Sequence, residues 1–402
     1  MPQWKQYSGI WTPTQQAQAI AAGTWPGIVT QQLYSWGYNP DGALGVNDQI
    51  SYSSPVQVGS VADSYASLGR NGADAYGSFW AIKGSATLWA AGSNGFGTLG
   101  LGDAVARSSP TQVGALTNWA KVSGHTYATA ALKTDGTLWG WGLNSAGNIG
   151  DGTKVNRNSP VQVGTGTDWA DFACIQRSNR GVVIAVKTNG TLWSWGRNDT
   201  GLLGNSNKIY RSSPVQVGAL TNWSKVHGEH DNVTALKTDG TLWSWGMNNS
   251  GQLGQNNIIY RSSPVQIGAL TTWDTLHCSV FAADNTGQLY GWGSTQYGEL
   301  GINESGATLI YSSPVMVGSP NQWPKVYRNP NPSGSYRTSI WVGTDGIYTC
   351  GNQGQGGGGE GVTTPNRSSP VQVLSATNFS AELSDINLDN NNAKWAIVGT
   401  RT

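Results

Sequence analysis

The sequence is poor in charge and has no long apolar run. Charged residues make up 11% of its 402 residues, against a usual share of about a quarter, and the formal net charge is +1. Because phosphate binding needs concentrated Lys and Arg, we expect no nucleic-acid partner. No stretch is long and apolar enough to span a bilayer, and residues 1–5 do not begin a signal peptide, so we expect no membrane insertion.

The sequence also lacks recognisable catalytic motifs. Its three cysteines are isolated and share no metal-like spacing, which favours buried thiols: Cys174, Cys278 and Cys350. No nucleophile elbow, phosphate loop or zinc-protease motif occurs. His227 and His230 leave a metal site open, but a solvated turn is favoured there. We therefore predict a protein that is not an enzyme, with no catalytic residue, cofactor or metal site.

What the chain has instead is an internal repeat. The phrase Lys-Thr-Asp-Gly-Thr-Leu-Trp begins at Lys133 and Lys237, and a variant with Asn begins at Lys187. A Ser-Pro step recurs at intervals of 50 to 56 residues, at Pro55, Pro110, Pro160, Pro214, Pro264, Pro314 and Pro370. A period of this length indicates one supersecondary unit copied along the chain.

One copy predicts about four short antiparallel strands. In the copy from Trp119 to Pro160, Thr134-Asp135-Gly136 predicts a tight turn, because glycine accepts a positive φ. Residues 137–141 are rich in β-formers, and Pro160 lies near the start of a last strand, where a missing N–H costs least. Seven such copies predict an all-β, seven-bladed β-propeller over residues 33–402.

The two ends of the chain predict how the propeller closes. The first Trp-Gly strand, Leu33 to Gly37, has no preceding Lys-Thr-Asp-Gly strand, whereas Trp395 to Gly399 resembles the strand around Ala235 to Lys237. We expect the N- and C-terminal strands to share one blade, which would remove the open edges.

Residues 1–32 lie outside the repeat and predict a short N-terminal docking arm. A cap residue, a proline and a glutamine at Thr12, Pro13 and Gln15 indicate one helix, from about Pro13 to Ala22. So short a helix needs a surface to dock on. The predicted docking residues are Trp4, Tyr7, Ile10, Trp11, Ile20 and Trp25. The alternative is that this arm packs across its own propeller.

Insertions relative to the shortest copy locate a candidate binding face. Stretches matching the 13 residues from Lys121 to Lys133 are longer in three other copies, all in one topological position. Loops on a rigid scaffold commonly carry function, and Arg and Tyr are favoured at binding hot spots. The candidate residues are Arg70, Asp74, Tyr76, Arg177, Asn179, Arg180, Arg328, Tyr336 and Arg337. Neutral drift of the loops is the alternative.

The repeated element at Trp245 to Gly254, together with the string Gly124 to Thr126, resembles the repeats of the regulator of chromosome condensation family. The likeness covers residues 33–402 and implies a seven-bladed propeller. It does not imply one function, since that fold hosts exchange factors, photoreceptors, enzyme inhibitors and binding modules. The chain lacks the basic arm of the nuclear exchange factor and the Gly-Trp-Arg-His-Thr motif of the plant ultraviolet receptor.

The uniformity of the copies suggests a narrower resemblance. Arg211 to Gln216 and Arg261 to Gln266 are almost identical and look like propellers in structural proteins of tailed phages. The string Tyr7 to Thr12 is similar to leaders of virion proteins in phages of marine cyanobacteria. This resemblance implies a capsid-decoration or tail-fibre component, made in the host cytoplasm and located in the virion. Its partners would be other virion proteins, bound through the arm, and a host-surface glycan or protein.

Two other functions stay open at this point. The first is a free propeller that acts as an interaction module, in the manner of an inhibitor or an exchange factor. The second is a glycan-binding adhesin.

Overall fold

The computed structural model describes residues 32–37, 39, 41–60, 65–71, 77–125, 127–177, 180–229, 231–306, 309–328, 338–343, 345–352, 366–375, 386–388 and 395–399. Within these ranges the chain forms 29 strands and no helix. The strands are β1 (Gln32–Gly37), β2 (Tyr52–Val58), β3 (Tyr65–Leu68), β4 (Arg70–Asn71), β5 (Ser78–Lys83), β6 (Leu88–Gly92), β7 (Arg107–Gln112), β8 (Trp119–His125), β9 (Ala128–Lys133), β10 (Leu138–Gly142), β11 (Arg157–Gln162), β12 (Trp169–Arg177), β13 (Arg180–Lys187), β14 (Leu192–Gly196), β15 (Arg211–Gln216), β16 (Trp223–Glu229), β17 (Asn232–Lys237), β18 (Leu242–Gly246), β19 (Arg261–Gln266), β20 (Trp273–Cys278), β21 (Phe281–Asp284), β22 (Leu289–Ser294), β23 (Ile310–Val317), β24 (Lys325–Arg328), β25 (Thr338–Val342), β26 (Gly346–Gly351), β27 (Arg367–Ser375), β28 (Ile386–Leu388) and β29 (Trp395–Gly399).

Six sheets are blades, each built from four antiparallel strands of one continuous stretch of chain. In chain order they are β3-β5-β6-β7, β8-β9-β10-β11, β12-β13-β14-β15, β16-β17-β18-β19, β20-β21-β22-β23 and β24-β25-β26-β27, here numbered blades 1 to 6. The short strand β4 adds in parallel to the free edge of β8, with Arg70 opposite Ser123. A further sheet, the joining sheet, has the order β2-β1-β29-β28 and pairs Gln32 with Gly399.

The predicted fold class is therefore wrong in its finer part. The structure is an all-β propeller with six blades, not seven, and the described residues contain no helix. The first copy of the repeat explains the difference in number. It supplies only β1 and β2, which do not form one of the six blades. They pair instead with β29 in the joining sheet, which confirms the predicted pairing of the two chain ends. The helix predicted at residues 13–22 lies outside the described residues.

Blade 2 shows why one copy folds as it does. Gly136 has a φ of 78°, and its N–H donates to the carbonyl of Lys133 at 3.0 Å. The carboxylate of Asp135 accepts from both the backbone N–H and the hydroxyl of Thr137, at 2.9 and 2.6 Å. The predicted Thr-Asp-Gly turn is thus present, because only glycine adopts this φ without strain. Pro160 lies in β11, the edge strand of the sheet, where no ladder bond is lost.

A buried tryptophan from the third strand packs each of blades 2 to 5 against the preceding blade. Trp245 is fully buried, and its indole N–H donates to the carbonyl of Leu202 at 2.9 Å. The equivalent residues Trp141, Trp195 and Trp292 bond in the same way to Thr98, Asn148 and Gln252. Each tryptophan thus buries a large aromatic surface between two blades, and the hydrogen bond satisfies its buried indole nitrogen.

In blades 1 and 6, a large side chain from the second strand occupies the space that the buried tryptophan of the third strand fills in the other blades. Ala91 replaces the tryptophan in blade 1, and the side chain opposite it in the register is Phe79. Cys350 replaces it in blade 6, where Trp341 donates from its indole nitrogen to the Cys350 sulfur at 3.0 Å. A large residue on the adjacent strand therefore compensates for each small one, which keeps the interior packed.

All three cysteines are free and buried, as the sequence predicts. Burial raises the pKa of the Cys174 thiol to about 12, and it also raises the pKa of Cys350. A thiol held in its protonated form is a poor nucleophile and a poor metal ligand. These residues therefore act as small apolar packing groups.

Candidate interaction surface

The disc has two faces with different loops. Tight turns between the second and third strands, such as 134–136 and 238–240, define what we call the turn face. Long loops between the third and fourth strands define the opposite rim face: 93–106, 143–156, 197–210 and 247–260. Hairpins between the first and second strands also open on the rim face, because Ala128 pairs with Gly142, where the long loop begins.

A buried asparagine folds each long loop. The Asn248 side chain is fully buried; its oxygen accepts from the Leu253 N–H at 3.0 Å, and its nitrogen donates to the carbonyls of Asn257 and Ile259 at 2.9 and 3.2 Å. Asn94, Asn144 and Asn198 make the same pattern of bonds in their loops. One amide side chain thus replaces the backbone partners that an irregular loop would otherwise lack.

Each of five loops ends in an exposed β-branched aliphatic residue. These rim residues stand five positions before a Ser-Pro proline, and between 56% and 62% of their surface is exposed: Ile50, Val105, Val155, Ile209 and Ile259. The next equivalent position, Leu309, is half-buried. A single exposed aliphatic residue is ordinary on a protein surface, but the same exposed position in five successive loops forms a pattern.

The backbone of each rim residue is held firmly although its side chain is in solvent. The Ile259 N–H donates to the side-chain oxygen of Asn257 at 2.9 Å, and its carbonyl accepts from Asn248. The N–H groups of Ile50, Val105 and Ile209 donate in the same way to Asp48, Asp103 and Asn207. The loops therefore present these apolar side chains at fixed positions, and a partner would pay little conformational entropy to bind them.

One sector of the rim face is more apolar than the rest. Blades 3 and 4 add three large exposed residues beside the rim residues: Tyr210 at 38%, Ile258 at 58% and Tyr260 at 49%. The Tyr210 hydroxyl bonds to Asp199, whose carboxylate also pairs with Arg197 at 2.5 Å. Ile310 of blade 5, 41% exposed, lies beside Gly251 of the blade 4 loop and extends the same sector.

The turn face, by contrast, encloses tryptophan rings around buried lysine side chains. The Lys237 ammonium lies 4.8 and 3.9 Å from the ring centroids of Trp223 and Trp243, and Lys237 is only 5% exposed. Burial lowers the pKa of Lys237, and the charge of Asp239 opposes that shift in part. Lys133 and Lys187 lie between tryptophan pairs in the same way. Each such cluster of one lysine and two rings, the lysine clamp, needs no outside partner.

The predicted binding-face residues lie on the rim-face side where they are described. Arg70 lies in β4, and Arg177 pairs with Arg180 at the hairpin of β12 and β13. The Arg328 guanidinium lies 3.4 Å from the fully buried Glu299 carboxylate, with a tenth of the arginine side chain exposed. The remaining candidates lie outside the described residues: Asp74, Tyr76, Asn179, Tyr336 and Arg337. As binding residues, all nine stay a prediction.

The predicted docking residues of the N-terminal arm, from Trp4 to Trp25, also lie outside the described residues. The rim residues were missed by sequence reasoning. Aligning the copies on their Ser-Pro prolines would have found an aliphatic residue at the fifth preceding position in each of the first six copies. The signal is therefore in the sequence, but an aliphatic residue between two strands is ordinarily taken for core.

The described residues offer little for chemistry. His227 lies 4.0 Å from one oxygen of Glu229, whose other oxygen accepts from the Ser279 hydroxyl at 2.9 Å. Across the described ranges, no group of three or more His, Cys, Asp or Glu could hold a metal ion. The same ranges contain no helix of the length and hydropathy that crossing a bilayer requires.

Comparison with known proteins assigns this repeat to a family. The family model described as regulator of chromosome condensation (RCC1) repeat matches residues 31–68, 85–132, 135–175, 189–236 and 239–279, more than half of the chain. No curated protein matches the sequence significantly.

Three solved structures share the fold. Human WBSCR16 superposes with a TM-score of 0.73 at 16% identity, covering 92% of this chain and 99% of its own. Prp20p of Saccharomyces cerevisiae gives 0.73 at 16%, covering 94% and 93%. Yeast RCC1 (Prp20) bound to Kap60 gives 0.74 at 15%, covering 100% and 95%. Identities this low show a shared fold and no more.

Proposed function

Since the chain belongs to the regulator of chromosome condensation (RCC1) repeat family, we propose that it is a non-enzymatic protein-interaction module whose rim face binds a protein partner. One observation carries this proposal: five equivalent aliphatic side chains stay more than half exposed on loops whose backbone is held by buried asparagines. The alternative outcome, in which these residues only serve loop conformation, is open to experiment.

The energetics favour a protein partner. Burying an exposed aliphatic side chain contributes about 1.5–3 kcal/mol. Several rim residues in one interface would therefore offset a large part of the free-energy cost of association. Protein interfaces have a core depleted in charge, and this chain has only 11% charged residues. Tyr210 and Tyr260 supply the aromatic surface that binding hot spots favour.

The related structures support the same class of function. Prp20p was studied for its binding to Gsp1p and histones, and another structure holds yeast RCC1 (Prp20) with Kap60. Those partners belong to those proteins. For this chain they support protein binding as the general role of the fold, and they identify no partner.

The narrower hypothesis of a virion structural protein gains no support from the family match or from the solved structures. Its virion location, its virion partners and the host-surface glycan stay predictions. Imaging of labelled particles would test them. The proposal made here depends on the rim residues and does not require a virion.

A photocrosslinking experiment tests the proposed function. A photoreactive amino acid replaces Lys154, the exposed neighbour of Val155, in the full chain. We expect it to capture a protein partner in native extract, and a second probe at Leu220 on the turn face to capture none.

The decisive comparison is between two variants. The rim variant Val105→Thr, Val155→Thr, Ile209→Thr keeps β-branched side chains but makes them polar. The control Met316→Gln removes an apolar side chain that is 67% exposed on β23, and it installs the residue found at the equivalent positions Gln216 and Gln266. Capture should vanish in the rim variant and persist in the control. Equal capture by both would refute the proposal.

A further inference from the structure

The fold places one dipeptide, asparagine followed by glycine, in two very different settings. Asn189-Gly190 forms the tip of the turn between β13 and β14 in blade 3, and the Asn189 side chain is exposed. Asn94-Gly95 opens the long loop 93–106 of the rim face, and Asn94 is only 1% exposed. Asparagine is a chemically labile residue, and a following glycine carries no side chain to shield its backbone nitrogen. The two sites therefore show what the fold adds to the same local sequence.

The turn at Asn189 holds the side-chain carbonyl between two hydrogen-bond donors. Its Oδ1 accepts from the Thr191 hydroxyl at 2.7 Å and from the Thr191 backbone N–H at 3.1 Å. When the Gly190 nitrogen attacks the amide carbon Cγ, negative charge develops on this oxygen. Donors fixed at that position stabilise the developing charge, and a side chain already held in one conformation loses less entropy on reaction.

The setting of Asn94 opposes the same reaction. Its side-chain nitrogen donates to the carbonyls of Asp103 and Val105, both at 3.1 Å, and its oxygen accepts from the Leu99 N–H at 2.9 Å. Loss of this nitrogen would leave two carbonyls without their donor. Because Asn94 is buried, it is also closed to the water that the reaction consumes. The fold therefore protects Asn94 and leaves Asn189 open.

We propose that Asn189 is a site of spontaneous deamidation, promoted by the turn of blade 3. The Gly190 nitrogen loses its proton to solvent base and forms a bond to Cγ of Asn189, and the amide nitrogen leaves as ammonia. Water then opens the cyclic imide at one of its two carbonyls, which leaves aspartate or isoaspartate at position 189. The Gly190 N–H donates to the Lys187 carbonyl at 2.8 Å, so loss of this proton limits the reaction and its rate rises with pH. The site lies on the turn face and does not depend on the proposed function.

Deamidation changes the charge balance of this turn. In blade 4 the equivalent position is the acidic residue Asp239, whose carboxylate accepts from the Asn222 amide at 2.8 Å. Blade 3 reverses the pair, with Asp168 in place of Asn222 and Asn189 in place of Asp239. The Asp168 carboxylate already pairs with the Lys187 ammonium at 2.9 Å. A second carboxylate at position 189 shares this one lysine and is repelled by the first, so the modified turn is less stable.

Peptide mass spectrometry of the full chain, kept folded in mildly alkaline buffer, tests the inference. The peptide that contains Asn189 should gain the mass difference between an amide and an acid, at an initial rate at least about tenfold higher than the peptide that contains Asn94. In urea concentrated enough to unfold the chain, the two rates should become similar, because both sites share the Asn-Gly dipeptide. The third such dipeptide, Asn71-Gly72, is followed as a separate peptide.

Substitutions at one threonine test the role of the donors. Thr191→Val removes the hydroxyl and should slow conversion at Asn189 about tenfold, whereas Thr191→Ser keeps the hydroxyl and should convert like the parent. Thr191→Val also removes the acceptor of the Trp193 indole N–H. The control Thr137→Val makes the same change beneath Trp139 in blade 2 and should leave the rate at Asn189 unchanged. Urea unfolding of each variant checks that the blades remain folded.

The effect on stability has its own measurement. Asn189→Asp reproduces the deamidated side chain and should unfold at a lower urea concentration than the parent at neutral pH, and adding Asp168→Asn should restore the midpoint. An unchanged midpoint would overturn the charge repulsion. Conversion at Asn189 that is no faster than at Asn94, or that is equally fast in Thr191→Val, would overturn the deamidation site. A rate difference that persists in urea would assign the reaction to the local sequence and would overturn it as well.

Discussion

The two faces of this disc use apolar residues in opposite ways. On the turn face, Trp223 and Trp243 enclose Lys237, so rings, alkyl chain and ammonium are satisfied within one blade. On the rim face, Asn248 satisfies the backbone around Ile259 but leaves that side chain in solvent. A repeated apolar residue can therefore be enclosed within its own blade or displayed to solvent.

The largest expected effect comes from breaking the turn face. Trp223→Ala removes a side chain that is 2% exposed and packs edge to face on both Trp243 and Trp245. We expect a loss of about 3–5 kcal/mol in the free energy of unfolding, measured in urea, because a large cavity remains. Tyr260→Ala on the rim face is the matched aromatic control and should change stability by less than about 0.5 kcal/mol. Similar losses in both variants would contradict the comparison.

The second prediction separates the residues that hold the rim loops in place from the side chains that those loops expose. Asn248→Ala leaves the Leu253 N–H and the Asn257 and Ile259 carbonyls without their partner. We expect a loss of about 2–3 kcal/mol in urea unfolding, since buried polar groups become unsatisfied. Ile259→Thr, a change to the displayed side chain alone, should leave the free energy of unfolding within about 0.5 kcal/mol. A large loss from Ile259→Thr would show that rim residues serve the fold.

A third prediction uses an ion pair that is present in one blade and missing at the equivalent position of the next. In blade 2 Asp151 pairs with Arg157 at 2.7 Å, whereas in blade 3 neither amide atom of Asn205 nor Nε of Arg211 has a hydrogen-bond partner among the described residues. Burial acts to raise the pKa of Asp151, but hydrogen bonds from Thr153 and Arg157 outweigh it and leave this pKa below its usual value. Asn205→Asp should therefore add about 0.5–1 kcal/mol at neutral pH.

The pH dependence of the free energy of unfolding shows whether the aspartate stabilises the protein through its charged form. A carboxyl with a lowered folded-state pKa stabilises fully above its unfolded value of about 4, and this contribution disappears as the pH falls through the folded-state pKa. The advantage of Asn205→Asp should thus vanish in acid, and Asp151→Asn should lose stability only at neutral pH. Unfolding curves at pH 7 and pH 3 measure both. An advantage of Asn205→Asp that persists in acid would argue against an ion pair.

The smallest effect tests the lysine clamp. Burial lowers the pKa of Lys237, so folding disfavours its charged form, and stability rises with pH between that lowered value and the ordinary value of about 10.4. Lys237→Met keeps the alkyl chain between the rings and should change stability at neutral pH by less than about 1 kcal/mol. The variant should lack that part of the rise seen in the parent at alkaline pH. An undiminished rise would assign it to another group.

Local features of the fold were predictable because they depend on a few adjacent residues. The turn at Asp135-Gly136 follows from the φ that glycine allows, and Pro160 on an edge strand follows from its missing N–H. The burial of Cys350 was also predictable, since it replaces a tryptophan of the repeat. The partner that fills its space was not, because Trp341 lies on the adjacent strand, opposite Tyr348, and its indole reaches the Cys350 sulfur only once the two strands pair.

The candidate interaction surface was less predictable, because it too depends on contacts between residues that are distant in sequence. Arg328 was chosen as an exposed contact residue, yet its guanidinium lies beside the buried carboxylate of Glu299, 29 residues earlier in the chain. Ile259 was overlooked as a displayed residue, because an aliphatic side chain next to a strand is usually core. Exposure is a property of the assembled blades, and the recurring aliphatic position does not by itself distinguish a displayed side chain from a buried one.

The amino-acid order by itself determined the unit of this protein: strand, glycine turn, strand, long loop and proline-bearing edge strand. Those outcomes depend on backbone dihedrals and on hydrogen bonds between near neighbours. Only the tertiary structure decided that six copies become blades and that one aliphatic residue in five successive loops faces solvent. Pairing of distant strands and exclusion of water both depend on the assembled chain, which a single repeat does not contain.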